Sequence, residues 1–213
     1  MGNQPPFEVQ ARIAKKHGVY LFVDAAAQLP AKEKLWQFTE GGADLAIFSG
    51  GKGLRGPQSS GLIVGRKAII DRIAAIASPN PGLGRPFKVG KEEIIGLMTA
   101  VRLYVEADES AVIAGYERQV EYIAAALSGI GGIEVTRSFP SEAGQPMPRA
   151  EVKLLPGMYK VGAAEICEQL KMCRPAVLVA VQGESLMINP QTLQKGEIEI
   201  VAAKIIEVLA ANM

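Results

Sequence analysis

Apolar and polar residues along this chain switch between a helical period and a strand period. Over residues 8–17 (Glu-Val-Gln-Ala-Arg-Ile-Ala-Lys-Lys-His), Val9, Ile13 and Ala14 fall on one side of a helix, and Gly18 stops it. Val19-Tyr20-Leu21-Phe22-Val23 then runs apolar without alternation and ends in Asp24. Such a run predicts a parallel strand buried on both faces. A helix-like stretch near Leu35–Thr39 ends at Gly41-Gly42, and Ala43-Asp44-Leu45-Ala46-Ile47-Phe48 reads as a second strand. It leads into the turn-rich loop Ser49-Gly50-Gly51-Lys52-Gly53-Leu54-Arg55-Gly56-Pro57, and Gly61–Gly65 reads as a third strand.

Helical spacing resumes over 66–77, breaks at the Pro/Gly-rich segment 78–86, and returns over about 91–106 and 109–128. Past Gly129-Ile130-Gly131-Gly132 the pattern changes. It predicts strands at 133–139 and 150–155, a helix at 163–172, strands at 176–181 and 185–189, and a final helix at 196–211. The expected organisation is an α/β part over 1–105, a connecting helix over 106–130 and a small α+β domain over 131–213.

Composition narrows the class. The chain has 213 residues, with 48% hydrophobic and 21% charged, which excludes a disordered chain. Its net charge of +1 gives no field that would single out nucleic acid or an anionic membrane. Cys167 and Cys173 lie in a helix-like stretch far from the single histidine, His17, so the pattern offers no zinc site. Free thiols, a polar start and no apolar run of membrane-spanning length give the expectation of a cytoplasmic protein.

The chemistry gathers at two predicted strand ends. Asp24 closes the first strand, and Lys52 follows the second through small residues. Ligands of open α/β sheets sit beyond the carboxyl ends of parallel strands, so an acid and a lysine converge there. Pyridoxal phosphate (PLP) needs that pair: a lysine amine to form a Schiff base and a carboxylate for the pyridinium nitrogen. Glycines around Lys52 would let the backbone approach a bulky cofactor and supply unusual dihedrals. Ser49 offers a hydroxyl to a phosphate. A turn-forming aspartate and a merely solvated lysine are the bland alternatives. A nucleotide-binding P-loop fails, because Ala46 stands where its first glycine is required and Gly53 where Ser or Thr is required.

Val23-Asp24-Ala25-Ala26-Ala27-Gln28, together with Phe48-Ser49-Gly50-Gly51-Lys52-Gly53-Leu54-Arg55-Gly56-Pro57-Gln58-Ser59-Ser60-Gly61, resembles the PLP enzymes of fold type I. The similarity is to the selenocysteine synthase (L-seryl-tRNA(Sec) selenium transferase) family and its ammonia-lyase-like relatives, such as D-glucosaminate-6-phosphate ammonia lyase. Gly84-Arg85-Pro86-Phe87-Lys88-Val89-Gly90-Lys91-Glu92-Glu93 and Asn189-Pro190-Gln191-Thr192-Leu193 carry the same resemblance. It implies part of the three-layer α/β/α large domain of fold type I, followed by the small α+β domain. It implies that Lys52 is the Schiff-base lysine, that Asp24 pairs with the ring nitrogen, and that Ala26 or Ala27 packs on the ring. Gln28 would reach the phenolic oxygen and Ser49 the phosphate. Arg55, Arg85 and Lys88 are candidates for substrate or a partner subunit in a homodimer or higher homo-oligomer. Arg149 is a candidate for a substrate carboxylate, with a surface ion pair as its alternative. His17 is expected at a helix C-terminus and Trp36 in the core.

Family members carry a segment ahead of the point matching Met1, with the main phosphate-binding loop, so a fragment of the large domain is expected. The implied activity is a PLP-dependent lyase or transferase acting on an amino acid or amino sugar acid. Transfer RNA gains no support from the near-neutral charge. The competing reading is a non-catalytic remnant that only dimerises or binds an anion.

Overall fold

The computed structural model describes residues 5–141 and 144–213. Residues 1–4 and 142–143 lie outside the described residues. The chain divides into two compact units, Met1–Ala107 and Asp108–Met213.

The first unit contains helix α1 (Phe7–His17), strand β1 (Phe22–Asp24), α2 (Lys34–Glu40), β2 (Leu45–Ser49), β3 (Gly61–Gly65), α3 (Lys67–Ile76) and α4 (Lys91–Glu106). Gly18 ends α1 in the left-handed conformation at φ 62°, and its N–H returns to the last turn, where Lys15, Lys16 and His17 face the negative end of the helix dipole. The sheet is three-stranded in the order β1-β2-β3. β1 runs parallel to β2, with Phe22 against Leu45 and Asp24 against Ile47. β3 returns antiparallel, with Ile47 against Ile63.

Side chains alternate across this sheet. Val23, Ala46, Phe48, Leu62 and Val64 join the core made with Ala25, Leu29, Leu35, Leu54 and Leu97. The opposite face carries Phe22, Asp24, Ile47 and Ile63, all exposed. This corrects the expectation of a first strand buried on both faces. β1 is shorter than the apolar run, and Val19, Tyr20 and Phe22 are 58%, 59% and 51% exposed. Among the described residues only β2 flanks β1, so the run is covered from one side. Trp36 is likewise not a core residue: Leu35 turns inward at 7% exposure and Trp36, the next residue around the helix, stands out at 40%.

Asp44 ties the amino ends of these elements together. Its buried carboxylate accepts the Leu21 N–H at 2.8 Å and meets the Arg66 guanidinium at 2.7 Å. Its own backbone N–H donates to Leu21 O, and its carbonyl accepts from Arg66 N. At the other end, Lys32 Nζ donates to the carbonyls of Val105 and Ala107 and closes the C-terminus of α4.

The second unit contains α5 (Glu109–Ala126), β4 (Ile133–Ser138), β5 (Arg149–Leu154), α6 (Ala163–Met172), β6 (Ala180–Gln182), β7 (Ser185–Ile188), a 3-10 turn at Pro190–Thr192 and α7 (Glu197–Ala211). Its sheet is four-stranded and antiparallel, in the order β4-β5-β7-β6. Ile123, Val152, Ile166, Leu170, Leu186, Ile205 and Leu209 fill the core between helices and sheet. The helix expected as a connector contributes Val120, Ile123 and Leu127 to that core. Asp108 caps it, accepting from Ser110 N and Ala111 N. The strand expected over 176–181 shrinks to Ala180–Gln182. Val177 N bonds back to Leu170 O at 3.0 Å, so this stretch closes onto the end of α6 before it joins the sheet. No helix among the described residues is long and apolar enough to cross a membrane.

The Asp44 knot makes a direct prediction. Asp44→Ala leaves the Leu21 N–H without its acceptor, which costs about 1–3 kcal/mol. Hydrogen exchange at the Leu21 amide should speed up, while amides in the second unit, such as Ile166 and Leu186, stay unchanged.

Candidate active site

Parallel pairing places the two candidate catalytic groups. Asp24 lies opposite Ile47, and the Ala25 N–H donates to Ile47 O at 2.8 Å, so β1 leaves the sheet just before β2 does. Lys52 follows the carboxyl end of β2. The loops that leave these adjacent ends touch. A Cβ at Gly53 would lie 2.6 Å from Leu29 Cβ and 3.1 Å from its carbonyl oxygen. Leu29 is buried at 4% and Leu54 at 2%, so an apolar residue anchors each loop beneath its polar group.

Asp24 and Ser49 both occur at positions that face the half-exposed side of the sheet, in register with the Leu45-Ile47-Ser49 row. One oxygen of Asp24, Oδ1, accepts the Ala26 N–H at 3.0 Å. The aspartate therefore also forms the turn that the bland reading assigned to it, and this bond orients the carboxylate. Gln28 is half-buried, its N–H bonded to Ala25 O. Lys52 is exposed, and among the described residues it forms no ion pair with Asp24. The Asp24 carboxylate and the Ser49 hydroxyl thus stand at the strand ends from which the two touching loops leave, one of which carries Lys52.

The glycines around Lys52 let backbone and side chains of the loop approach closely. A Cβ at Gly50 would strike Ser60, one at Gly51 would strike Gln58, and one at Gly56 would lie 3.1 Å from Gly50 O. They let the loop close on itself and on the Leu29 loop. They do not supply the unusual dihedral: the left-handed residue here is Arg55, at φ 56°. Its N–H closes the turn on Lys52 O at 2.9 Å.

The remaining candidates lie on other elements. Arg85 donates to Ser78 Oγ at 3.1 Å, and Lys88 is exposed beside Phe87. Their segment borders a groove of about 580 Å³ lined by Leu62, Val89, Ile94 and Met98. Neither residue is hydrogen-bonded or ion-paired to Asp24 or Lys52 among the described residues. Arg149 begins β5 in the second unit and, at 6% exposure, is a buried residue. Sequence reasoning missed Leu29, Gln58 and Ser60, which set the shape of the lysine loop. Gln58 and Ser60 lie within the block that carries the resemblance, but their role, like that of Leu29, shows only in contacts made in the folded chain.

The sequence profile of the L-seryl-tRNA selenium transferase family matches residues 11–124, a span that holds both loops. The chain belongs to this family. It is 31% identical over 207 residues to 5'-C-glycyluridine monooxygenase-decarboxylase from Streptomyces sp., covering 96% of this chain and 50% of that protein. It is 29% identical to D-glucosaminate-6-phosphate ammonia lyase from Salmonella typhimurium, covering 92% of this chain and 51% of the lyase. A solved structure of D-glucosaminate-6-phosphate ammonia-lyase superimposes with a TM-score of 0.79 at 26% identity, covering 100% of this chain and 55% of that one. The chain spans about half the length of these relatives, and its fold is part of the fold-type I large domain followed by a small α+β domain.

The contact between the two loops can be tested without any ligand. Gly53→Ala drives a methyl group into Leu29 and should cost about 1–3 kcal/mol by overpacking. Denaturant unfolding of the first unit should shift accordingly. An unchanged midpoint would mean that the loops do not touch in solution.

Proposed function

We propose that this chain carries the cofactor-bonding lysine of a PLP-dependent lyase or transferase, acting on an amino acid or amino sugar acid. The observation that carries the reading is that Asp24 ends β1 and Lys52 follows the end of the adjacent parallel strand β2, with the two outgoing loops in contact. The donor set suits that cofactor: an exposed amine, an oriented carboxylate and a hydroxyl on one side of the sheet. When bound, pyridoxal phosphate supplies an electron-accepting ring that stabilises negative charge on the substrate carbon bearing nitrogen.

The residues divide the work. The Lys52 amine would hold the cofactor through its aldehyde carbon and would move the proton at the substrate carbon. The Asp24 carboxylate keeps a proton on the ring nitrogen, with Ala26 N–H fixing its orientation. Ala26 or Ala27 would pack against the ring, Gln28 would serve the phenolic oxygen, and Ser49 would donate to the phosphate. Arg55, Arg85 and Lys88 are exposed cations for anionic groups of the substrate or of a second subunit.

The relatives' names span ammonia elimination, decarboxylation and selenium transfer. The net charge of +1 gives no support to transfer RNA as a substrate, because nucleic-acid binding draws on a clear excess of Lys and Arg.

Borohydride reduction in the presence of pyridoxal phosphate should leave a pyridoxyl group on the Lys52 peptide. Lys52→Ala should remove it, and retention of the label on another lysine at the same level would refute the assignment. Asp24→Ala should keep the label on Lys52 while shifting the pH at which the bound cofactor changes colour. An unchanged pH profile would take Asp24 out of the site.

A further inference from the structure

The peptide group that joins Gly51 to Lys52 is gripped by a side chain. Its carbonyl oxygen accepts a hydrogen bond from Gln58 Nε2 at 3.2 Å. A Cβ at Gly51 would lie 2.4 Å from Gln58 Oε1 and 2.7 Å from Gln58 Cα and Cδ, so the glutamine lies flat against the glycine. The carbonyl on the other side of Lys52 accepts from Arg55 N at 2.9 Å. One residue earlier, Gly50 N donates to Ser60 O at 2.9 Å and Gly50 O accepts from Gly56 N at 2.7 Å.

These bonds decide how Lys52 is aimed. The plane of the peptide before a residue sets its φ, and the plane of the peptide after it sets its ψ. Together they fix the direction of the Cα–Cβ bond from which the long lysine stem departs. Arg55 secures the second plane through the backbone, and Gln58 secures the first through its carboxamide. Gln58 is itself exposed and contributes nothing to the core, so its bond to Gly51 O is its main engagement with the fold.

We propose that Gln58 is a positioning residue. Its side-chain N–H holds the Gly51–Lys52 peptide plane and so presents the Lys52 amine to the aldehyde carbon of the cofactor. The inference rests on the reading of Lys52 as the cofactor lysine, and the experiment separates the two.

The full 213-residue chain is incubated with pyridoxal phosphate and reduced with borohydride, and the label on each lysine peptide is measured by mass spectrometry. Lys67 and Lys91, with side chains 86% and 89% exposed, serve as internal references. Gln58→Glu keeps length and shape but loses the donor, and Gln58→Leu removes both polar atoms. Both should lower the ratio of Lys52 label to reference label roughly three- to tenfold, the loss expected for one hydrogen bond. The melting temperature and the reference labels should not move. An unchanged ratio in both variants overturns the inference. So does a normal ratio in Gln58→Glu with a reduced one in Gln58→Leu, because shape alone would then suffice. A fallen melting temperature accompanying the reduced ratio overturns it as well, in favour of a structural role. If the unsubstituted chain shows no preference for Lys52 over the references, the cofactor-lysine reading itself fails.

Discussion

β1 and β2 lie side by side and run in the same direction, with Asp24 opposite Ile47 and the Ala25 N–H bonded to Ile47 O. Parallel neighbours end at the same edge of a sheet, so whatever follows each strand emerges at the same place. Had β1 been antiparallel to β2, Asp24 and Lys52 would stand at opposite edges and no shared chemistry would be available to them. Asp44 holds this arrangement at the far end, where its carboxylate reaches back to Leu21 and across to Arg66. The carboxylate is nearly buried while Arg66 is largely exposed, so its hydrogen bond to a backbone N–H matters more than the ion pair.

The lysine loop shows how a flexible side chain is given a fixed origin. Glycines let its backbone pass close to Ser60, Gln58 and Leu29, Leu54 plugs into the core, and Arg55 adopts a left-handed conformation that closes the turn. A left-handed non-glycine residue costs about 1–2 kcal/mol and persists only where its surroundings over-determine it. Here they do, because each neighbour of Lys52 is held by its own contact. The second unit is built on the opposite economy: a single continuous apolar core, from Ile123 to Leu209, with antiparallel strands covered by three helices.

Much of this was legible in the residues alone. Helix limits marked by Gly18 and by the Gly41-Gly42 pair, the strand before Asp24, the helix at 163–172 and the last helix all follow from apolar spacing and from glycine and proline punctuation. Those signals are local, since a period and a stop residue are properties of a few neighbours. The Asp24 and Lys52 motifs were also legible, because their residue types and the small residues around them are specific to one resemblance, and the family match covers the same stretch. The sequence alone could not decide burial. Val19 and Tyr20 read as core because they are apolar, yet they are exposed because nothing flanks that side of β1 among the described residues. Trp36 misleads in the same way. Arg149 does so in reverse: its charge reads as surface, while its place at the start of an inner strand buries it. Nor could the sequence show that the glycines serve the loop's own closure, or that Gln58 lies on Gly51. Those facts depend on which backbone segments approach each other, and distances between residues remote in sequence exist only once the chain has folded.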